Sequence, residues 1–257
     1  MVAGRRVAGL GEMQPIIVIP ARMAATRLPG KPLAPIHGRP MIVHCWARAV
    51  KAGLGPVLVA AGDREIVAAI EAAGGRALLT DPALASGSDR VHAAVEAADP
   101  SGIYDVVVNL QGDLPTIEPS ILSAVLAPLA ERAVDIATPV APISDPREHD
   151  DPNVVKAVVS PHAHGRGGRA LYFSRAAVPS GEGVRYHHIG VYAYRRAALR
   201  RFVALPPSVL ERRERLEQLR AIEAGMRIDV AFVDSIPRGV DTPADLERAR
   251  QRLRPEG

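Results

Sequence analysis

Three cationic side chains follow the first apolar run of the sequence within ten residues of one another. Residues 16–19 are β-branched and predict a buried strand, and Arg22, Arg27 and Lys31 lie in the segment that leaves it. Guanidinium and ammonium groups at the end of a strand suit the oxygen atoms of a polyphosphate. A solvated basic turn would carry the same charges, so the cluster alone leaves both interpretations open.

Two common phosphate-binding loops are excluded by spacing. A P-loop needs a glycine five residues before its Gly-Lys pair and Ser or Thr after it, where this chain has Ala25 and Pro32. No Gly-x-Gly-x-x-Gly fingerprint of dinucleotide-binding proteins follows the strand. Side-chain charge, more than a nest of backbone N–H groups, would therefore neutralise the phosphates.

A carboxylate, Asp113, follows the most hydrophobic predicted strand, residues 104–110. Strands and helices alternate regularly up to this point, which predicts a parallel sheet with ligands at the carboxyl ends of its strands. That rule places Asp113 on the same edge as the basic segment. It could be a salt-bridge partner of the cations, or it could bind the Mg²⁺ of a triphosphate, since Mg²⁺ takes one or two carboxylates plus phosphate oxygens.

Polar residues also begin several predicted helices. Ser86 and Thr242 are each followed three residues later by an aspartate, the spacing of a capping box. Asp63 is expected to cap the helix that follows the second strand. Asp241 stands directly before the capping box of Thr242, so a local role in capping that helix would equally explain its presence.

The pattern changes beyond residue 140. Proline-rich segments interrupt the alternation, and period-two strands on either side of a Gly-rich loop at residues 162–168 predict an antiparallel second lobe. Residues 208–224 predict one charged helix, in which Glu211, Glu214 and Glu217 alternate with arginines as a solvated face of ion pairs. The predicted organisation is a flexible extension at 1–14, an α/β domain at 15–140 and 226–254, and a second lobe at 141–225.

The composition is that of a globular protein, with 257 residues of which 47% are hydrophobic and 23% charged. The 32 basic residues are offset by 28 acidic ones, and three Phe and one Trp offer little for stacking bases, so we expect no nucleic-acid partner. The single Cys45 excludes an intramolecular disulfide, fits a reducing compartment and is expected to pack in the core. No apolar run approaches the roughly 20 residues that span a bilayer, so no membrane segment is expected.

The basic segment as a whole resembles a family signature. Pro20-Ala21-Arg22 with Thr26-Arg27-Leu28-Pro29-Gly30-Lys31-Pro32 is similar to the signature of nucleotide-sugar pyrophosphorylases and, among them, of 3-deoxy-manno-octulosonate (Kdo) cytidylyltransferases. Further segments resemble that family in the same order: Ser86-Gly87-Ser88-Asp89-Arg90, Gln111-Gly112-Asp113, Tyr172-Phe173-Ser174-Arg175, His188-Ile189-Gly190-Val191-Tyr192, Leu216-Glu217-Gln218-Leu219-Arg220 and Gly239-Val240-Asp241-Thr242-Pro243. Several separated motifs in order are more specific than any one of them.

The resemblance implies a Rossmann-like nucleotidyltransferase fold of the α/β class, with a mostly parallel sheet and a smaller antiparallel lobe. It implies an enzyme that transfers CMP from CTP to the anomeric hydroxyl of Kdo, in the cytoplasm, for lipopolysaccharide biosynthesis. CTP and Kdo are then the expected partners. The second lobe would bind the sugar and form a homodimer.

The resemblance also implies the roles of individual residues. Catalysis falls to Arg22, Lys31 and Asp113, and Mg²⁺ binding to Asp113 and Asp241. The implied nucleotide-binding residues are Pro20, Ala21, Arg22, Arg27, Lys31, Ser88, Arg90 and Gln111. The implied sugar-binding residues are Gln111, Arg175, His188, Glu217 and Gln218.

One position departs from the family pattern, since Leu114 stands where the family usually has glutamate. The change removes one negative charge beside Asp113 but leaves the proposed metal ligand. Two alternatives remain open. The acceptor could be an amino variant of Kdo or a sialic acid, or the chain could be a non-catalytic nucleotide-binding module, which would have no reason to hold both Asp113 and Asp241.

Overall fold

The computed structural model describes residues 13–24, 28–163 and 165–254. Its strands are β1 (Pro15–Ala21), β2 (Pro35–Ile36), β3 (Arg39–Pro40), β4 (Val57–Ala61), β5 (Arg76–Leu79), β6 (Val106–Asn109), β7 (Ile136–Pro142), β8 (Lys156–Pro161), β9 (Gly167–Ser174), β10 (Tyr186–His188), β11 (Tyr192–Arg195) and β12 (Ile228–Phe232). Its helices are α1 (Met41–Ala52), α2 (Arg64–Ala72), α3 (Gly87–Ala98), α4 (Pro119–Ala124), α5 (Arg196–Ala204), α6 (Val209–Glu214), α7 (Leu219–Glu223) and α8 (Pro243–Arg252).

The chain forms two compact units, whose described parts are residues 13–122 with 237–254, and residues 123–236, apart from the gaps given above. The first unit therefore resumes at Pro237, later than the predicted residue 226. The reason is β12, which pairs with β7 and β9 and so belongs to the second unit. Most of the predicted N-terminal extension, residues 1–12, lies outside the described residues.

The first unit is built on four parallel strands in the order β5, β4, β1, β6. The β-branched residues 16–19 of β1 are at most 2% exposed, because helices cover the sheet and a strand buried on both faces needs a continuous apolar run. The predicted parallel arrangement is confirmed for these strands. The segments that follow β1 and β6 consequently leave the sheet at the same edge.

Two of the three helix caps predicted in the first unit are present in the structure. Ser86 and Thr242 both accept a hydrogen bond from the backbone N–H three residues on, within complete capping boxes at the starts of α3 and α8. Asp63 occupies the N-cap position of α2 but makes no capping hydrogen bond. Its carboxylate is used elsewhere, as described below.

Strand pairing in the second unit is mixed, although β8 pairs antiparallel with both β9 and β10 inside the predicted antiparallel lobe at residues 141–225. β7 pairs in parallel with β12, whereas it runs antiparallel to β10 and β11. β9 runs antiparallel to both β8 and β12. The period-two pattern could not reveal the parallel pair, because its strands are far apart in the chain.

The single helix predicted at residues 208–224 is two helices, α6 and α7. Arg215 ends α6 in the left-handed conformation, with φ of 55°, and its N–H donates to the carbonyl of Glu211. In this arrangement Glu214 contacts Ser174 and Arg175 at the end of β9, and Glu211 pairs with Arg220 of α7. Among the described residues no helix is both long enough and apolar enough to cross a membrane.

Gly167 marks a close approach of two backbones and supports a test of the fold. A Cβ atom at this position would lie 2.3 Å from the carbonyl oxygen of Val230 in β12. Gly167→Ala should therefore destabilise the protein by about 2 kcal/mol, the cost of overpacking, and lower Tm by roughly 5 °C in thermal unfolding. Gly190→Ala is the control, since nothing lies within 4 Å of the added atom. Equal Tm values for the two variants would contradict the pairing of β9 with β12.

Candidate functional site

A cavity of about 440 Å³ opens in the first unit where β1 and β6 end. Its lining brings together eight of the residues singled out from the sequence: Pro20, Ala21, Arg22, Lys31, Arg90, Gln111, Asp113 and Asp241. Ser88 is not part of the lining and is only 4% exposed, whereas Ser86 and Gly87 face the cavity. Arg27 lies outside the described residues.

Lys31 bridges two carboxylates at the rim of this cavity. Its Nζ atom donates to Asp113 Oδ2 at 2.8 Å and to Asp241 Oδ1 at 3.0 Å. Burial acts to lower the pKa of Lys31, but the charges and hydrogen bonds of both carboxylates outweigh it, and the pKa lies above its usual value. Lys31 is therefore an ammonium ion at neutral pH, and a cation occupies the point between the two acids.

Backbone geometry explains how Lys31 reaches this point. Gly30 has φ of 69°, a left-handed conformation that favours glycine, and it precedes a one-turn 3-10 helix at Lys31–Leu33. Pro32 stands within the first turn of that helix, where its missing N–H costs no hydrogen bond. The described stretch Leu28-Pro29-Gly30-Lys31-Pro32 therefore forms a tight turn that aims Lys31 inward.

The second carboxylate comes from a distant part of the chain. The N–H of Val240 donates to the carbonyl of Asp113 at 2.9 Å, which places Asp241 beside the loop after β6. Asp241 also donates its own N–H to Asp245 Oδ2 at 3.2 Å, in the capping box of α8. The capping residues thus position Asp241, while its side chain is left to bind Lys31.

Asp63 anchors the basic segment. Its Oδ2 atom accepts a 2.7 Å hydrogen bond from the N–H of Met23, immediately after Arg22. The N–H of Gly62 also donates to the carbonyl of Ala21 at 2.8 Å. The sequence predicted a helix cap here because Asp at the start of a helix is typical of caps, and nothing local indicated the contact with a segment 40 residues earlier.

Gly112 allows the loop after β6 to approach the end of β1. A Cβ atom on Gly112 would lie 2.8 Å from the carbonyl oxygen of Pro20. The thiol of Cys45, which is fully buried, donates to the carbonyl of Gly112 at 3.4 Å, and burial raises its pKa. The predicted core role of Cys45 is confirmed. Leu114, in place of the family's glutamate, is itself buried.

Arg90 is a buried cation beside the cavity, only 2% exposed. Its Nη1 atom donates to Thr80 Oγ1 at 2.5 Å and to the carbonyl of Asp81 at 3.1 Å. Burial, and then repulsion by Arg22, holds the pKa of Arg90 below its usual value. Thr80 is a residue that the sequence did not identify, because its only signal was a place at the end of a short strand.

Four of the five residues predicted to bind a sugar, Arg175, His188, Glu217 and Gln218, lie in the second unit, whereas Gln111 lines the cavity of the first unit. His188 is 7% exposed, and its Nε2 atom lies 3.0 Å from Thr138 Oγ1. The Thr138 hydroxyl donates to the carbonyls of Ile189 and Val191, so the imidazole must donate to it through Nε2–H, leaving Nδ1 as an acceptor. Burial, and then His187, lowers the pKa of His188 to about 3, so this imidazole is neutral at pH 7.

Arg175 is held on several sides by backbone groups and by Glu214. Its Nε donates to the carbonyl of Glu214 at 3.0 Å and its Nη1 to the carbonyl of Pro152 at 2.9 Å. The Glu214 carboxylate accepts from Ser174 Oγ at 2.7 Å and from the N–H of Arg175 at 3.0 Å. The expectation that Glu214 belongs to a solvated face was therefore wrong, because the end of α6 at Arg215 turns it inward.

Glu217 and Gln218 lie between α6 and α7. Gln218 is 5% exposed, and its Nε2 atom has no hydrogen-bond partner among the described residues. Glu217 lies 3.6 Å from Arg220 Nη2, and Arg220 binds Glu211 more closely, at 2.5 Å. A buried amide donor of this kind is satisfied at little cost by a hydroxyl-bearing ligand.

Three comparisons relate this chain to known proteins. The model of a family described as Cytidylyltransferase matches residues 16–228. A 3-deoxy-manno-octulosonate cytidylyltransferase of Paramagnetospirillum magneticum is 63% identical over 95% of this chain and 100% of its own length. The enzyme of that name from Rhodospirillum rubrum is 62% identical over 95% of this chain and 97% of its own length.

Solved structures extend the comparison. A CMP:2-keto-3-deoxy-manno-octonic acid synthetase complexed with CTP has a TM-score of 0.86 at 39% identity, covering 93% of this chain and 98% of that one. A cytidylyltransferase from Leptospira borgpetersenii has a TM-score of 0.61 at 15% identity, with coverage of 93% and 86%. The second likeness concerns the fold alone.

The low pKa of His188 makes stability depend on pH. Between pH 6.5 and about 3 the unfolded chain binds a proton that the folded protein excludes, so stability falls as pH decreases through this range. From pH 7 to pH 5 this residue should cost about 2 kcal/mol of unfolding free energy. His188→Gln, which retains a donor for Thr138, should lose less stability than the wild type in urea titrations at the two pH values. Equal losses would contradict burial of a neutral imidazole.

Proposed function

This chain belongs to the 3-deoxy-manno-octulosonate cytidylyltransferase family, and we propose that it transfers CMP from CTP to the anomeric hydroxyl of Kdo. The observation that carries the proposal is the cavity at the strand ends, where Arg22, Lys31 and Arg90 lie with Asp113 and Asp241 in a chain 63% identical to a relative of that name. In the reaction the sugar oxygen bonds to the α-phosphorus, the bond from that phosphorus to the β-phosphate oxygen breaks, and pyrophosphate leaves. The hydroxyl proton passes to solvent.

The basic side chains are suited to stabilising the triphosphate. Arg22 is exposed at the cavity and Lys31 lies at its rim, so both can reach phosphate oxygens without rearranging the sheet. Charge that develops on the leaving pyrophosphate is best stabilised by groups already in place before the reaction. Asp63 contributes indirectly, since its bond to Met23 fixes the segment that carries Arg22.

Asp113 and Asp241 fit a divalent cation. The pair already binds a cation, the Lys31 ammonium, and no third acidic, histidine or cysteine side chain joins them in a metal-binding group among the described residues. A site with only two protein carboxylates suits Mg²⁺, because this ion fills the rest of its coordination shell with water and phosphate oxygens. When bound, Mg²⁺ would neutralise the triphosphate and lower the pKa of the attacking hydroxyl. No side chain is then needed as a general base.

The sugar acid would be recognised by the second unit. Arg175 is a guanidinium fixed by Glu214 and Pro152, and a planar guanidinium binds a carboxylate through two hydrogen bonds. His188 offers an acceptor at Nδ1, and Gln218 offers its unpaired amide donor. These groups complement a carboxylate and several hydroxyls, which are the functional groups of Kdo.

Assembly and location form a further part of the proposal. A homodimer formed through the second unit is the assembly that the family resemblance implies. The proposed location is the cytoplasm, where CTP is available and where the product would supply lipopolysaccharide biosynthesis.

The direct test of the reaction is pyrophosphate release by the purified protein with Mg²⁺, with CTP and Kdo supplied together or singly. Release that requires both compounds supports the transfer reaction, and replacing Kdo with its 8-amino variant or a sialic acid defines the acceptor. CTP binding without release for any acceptor would favour the non-catalytic nucleotide-binding module instead.

Loss of the charge at Asp113 should slow the reaction. Asp113→Asn keeps the shape of the side chain but removes the negative charge that would hold Mg²⁺, so kcat should fall about 10²-fold or more. Asp234→Asn, at an exposed position, is the matched control and should retain full turnover. Near-normal kcat for Asp113→Asn in the pyrophosphate assay would overturn the assignment.

Lys31 should compete with a divalent cation for the two carboxylates. Lys31→Met frees both acids, so in the absence of nucleotide the variant should bind Mg²⁺ about fivefold more tightly, given ion pairs worth on the order of 1 kcal/mol in total. Isothermal titration of Mg²⁺ measures this directly, with Lys51→Met, at an exposed position of α1, as control. Unchanged or weaker Mg²⁺ binding by Lys31→Met would contradict a shared position for the two cations.

A further inference from the structure

Lysine is rare in this basic chain. Only three of the 32 basic residues are lysines, namely Lys31, Lys51 and Lys156. Lys51 is exposed, whereas Lys156, the first residue of β8, is 0% exposed. Because arginine supplies nearly all the positive charge, a fully buried lysine indicates a position that needs a compact ammonium rather than a planar guanidinium.

The ammonium of Lys156 uses its three N–H donors on three backbone carbonyls. Nζ donates to Asp151 at 2.9 Å, to Val154 at 2.6 Å and to Arg175 at 2.7 Å. Burial lowers its pKa, and the negative charges of Asp151 and Asp150 partly offset that effect. Lys156 thereby ties the turn at residues 151–155 to the end of β9.

The same turn contacts two residues of the proposed sugar site. The carbonyl of Pro152 accepts from Arg175 Nη1 at 2.9 Å, and the carbonyl of Val155 accepts from the N–H of His188 at 2.8 Å. Lys156 holds the carbonyls of Asp151 and Val154, which lie on either side of the Pro152-Asn153 pair, and also the carbonyl of Arg175 itself. The turn therefore fixes Arg175 at its guanidinium and at its backbone, and fixes His188 at its backbone.

We propose that Lys156 is a positioning residue for the sugar acid, which acts by holding the turn at residues 151–155 and with it the guanidinium of Arg175. The proposal rests on the sugar-binding roles of Arg175 and His188 given under the proposed function. Burying an ammonium is costly, and an apolar side chain would suit an interior strand better if packing were its only purpose. The three N–H donors of Lys156 are all used by backbone carbonyls, so Lys156 would act on the sugar only through Arg175 and His188.

The test is a comparison of KM values for the two substrates. Lys156→Met preserves the length of the side chain but removes the three donors, so KM for Kdo should rise tenfold or more while KM for CTP changes less than twofold. Lys156→Gln, which retains two N–H donors, should give a smaller increase. Lys51→Met is the control and should leave both KM values unchanged. A loss of folding alone would reduce the active fraction and kcat without separating the two KM values.

A double-mutant cycle tests the positioning role of Lys156 separately from the sugar-binding role of Arg175, on which it rests. If Lys156 acts through Arg175, Lys156→Met should add little to the KM of an Arg175→Ala variant. If Arg175→Ala raises KM for Kdo but neither Lys156 variant does, the positioning role is wrong and the proposed sugar site stands. If Arg175→Ala itself leaves KM for Kdo unchanged, the proposed role of Arg175 fails. Should Lys156→Met not fold, a KM for Kdo in Lys156→Gln equal to that of the wild type overturns the proposal.

Discussion

The ammonium of Lys31 between Asp113 and Asp241 is the interaction on which the candidate site depends. Two carboxylates at the edge of a sheet repel each other unless a cation lies between them, and Lys31 supplies that cation in the protein alone. The same ammonium is also a group that a triphosphate would attract. The proposed function requires the site to exchange this cation for another when a nucleotide and a metal bind.

The sequence predicted the parts of the site that depend on local chemistry. The β-branched residues of β1, the capping boxes at Ser86 and Thr242, and the place of Asp113 after a buried strand all follow from interactions between near neighbours in the chain. The parallel order of the first unit follows from regular alternation of strands and helices. Sequence resemblance then added the expected roles of Asp241 and Arg175, which no local rule could supply.

The remaining features depend on contacts between distant segments. The bond from Met23 to Asp63 joins residues 40 apart, and the bond from Lys31 to Asp241 joins residues 210 apart. Glu214 binds Ser174 and Arg175 because a left-handed residue ends its helix early, a break that the helical pattern of charges conceals. A pattern of charges reports which residues are polar, but only the folded chain decides which of them turn inward.

A structure of the protein with CTP and Mg²⁺ tests the central claim most directly, because it reveals which cation lies between Asp113 and Asp241. The account predicts Mg²⁺ bound to both carboxylates and Lys31 Nζ moved from them to a phosphate oxygen. If Lys31 still bridges both carboxylates while the nucleotide and its metal are bound elsewhere, the exchange of cations, and the metal-binding role of these two aspartates, would be contradicted.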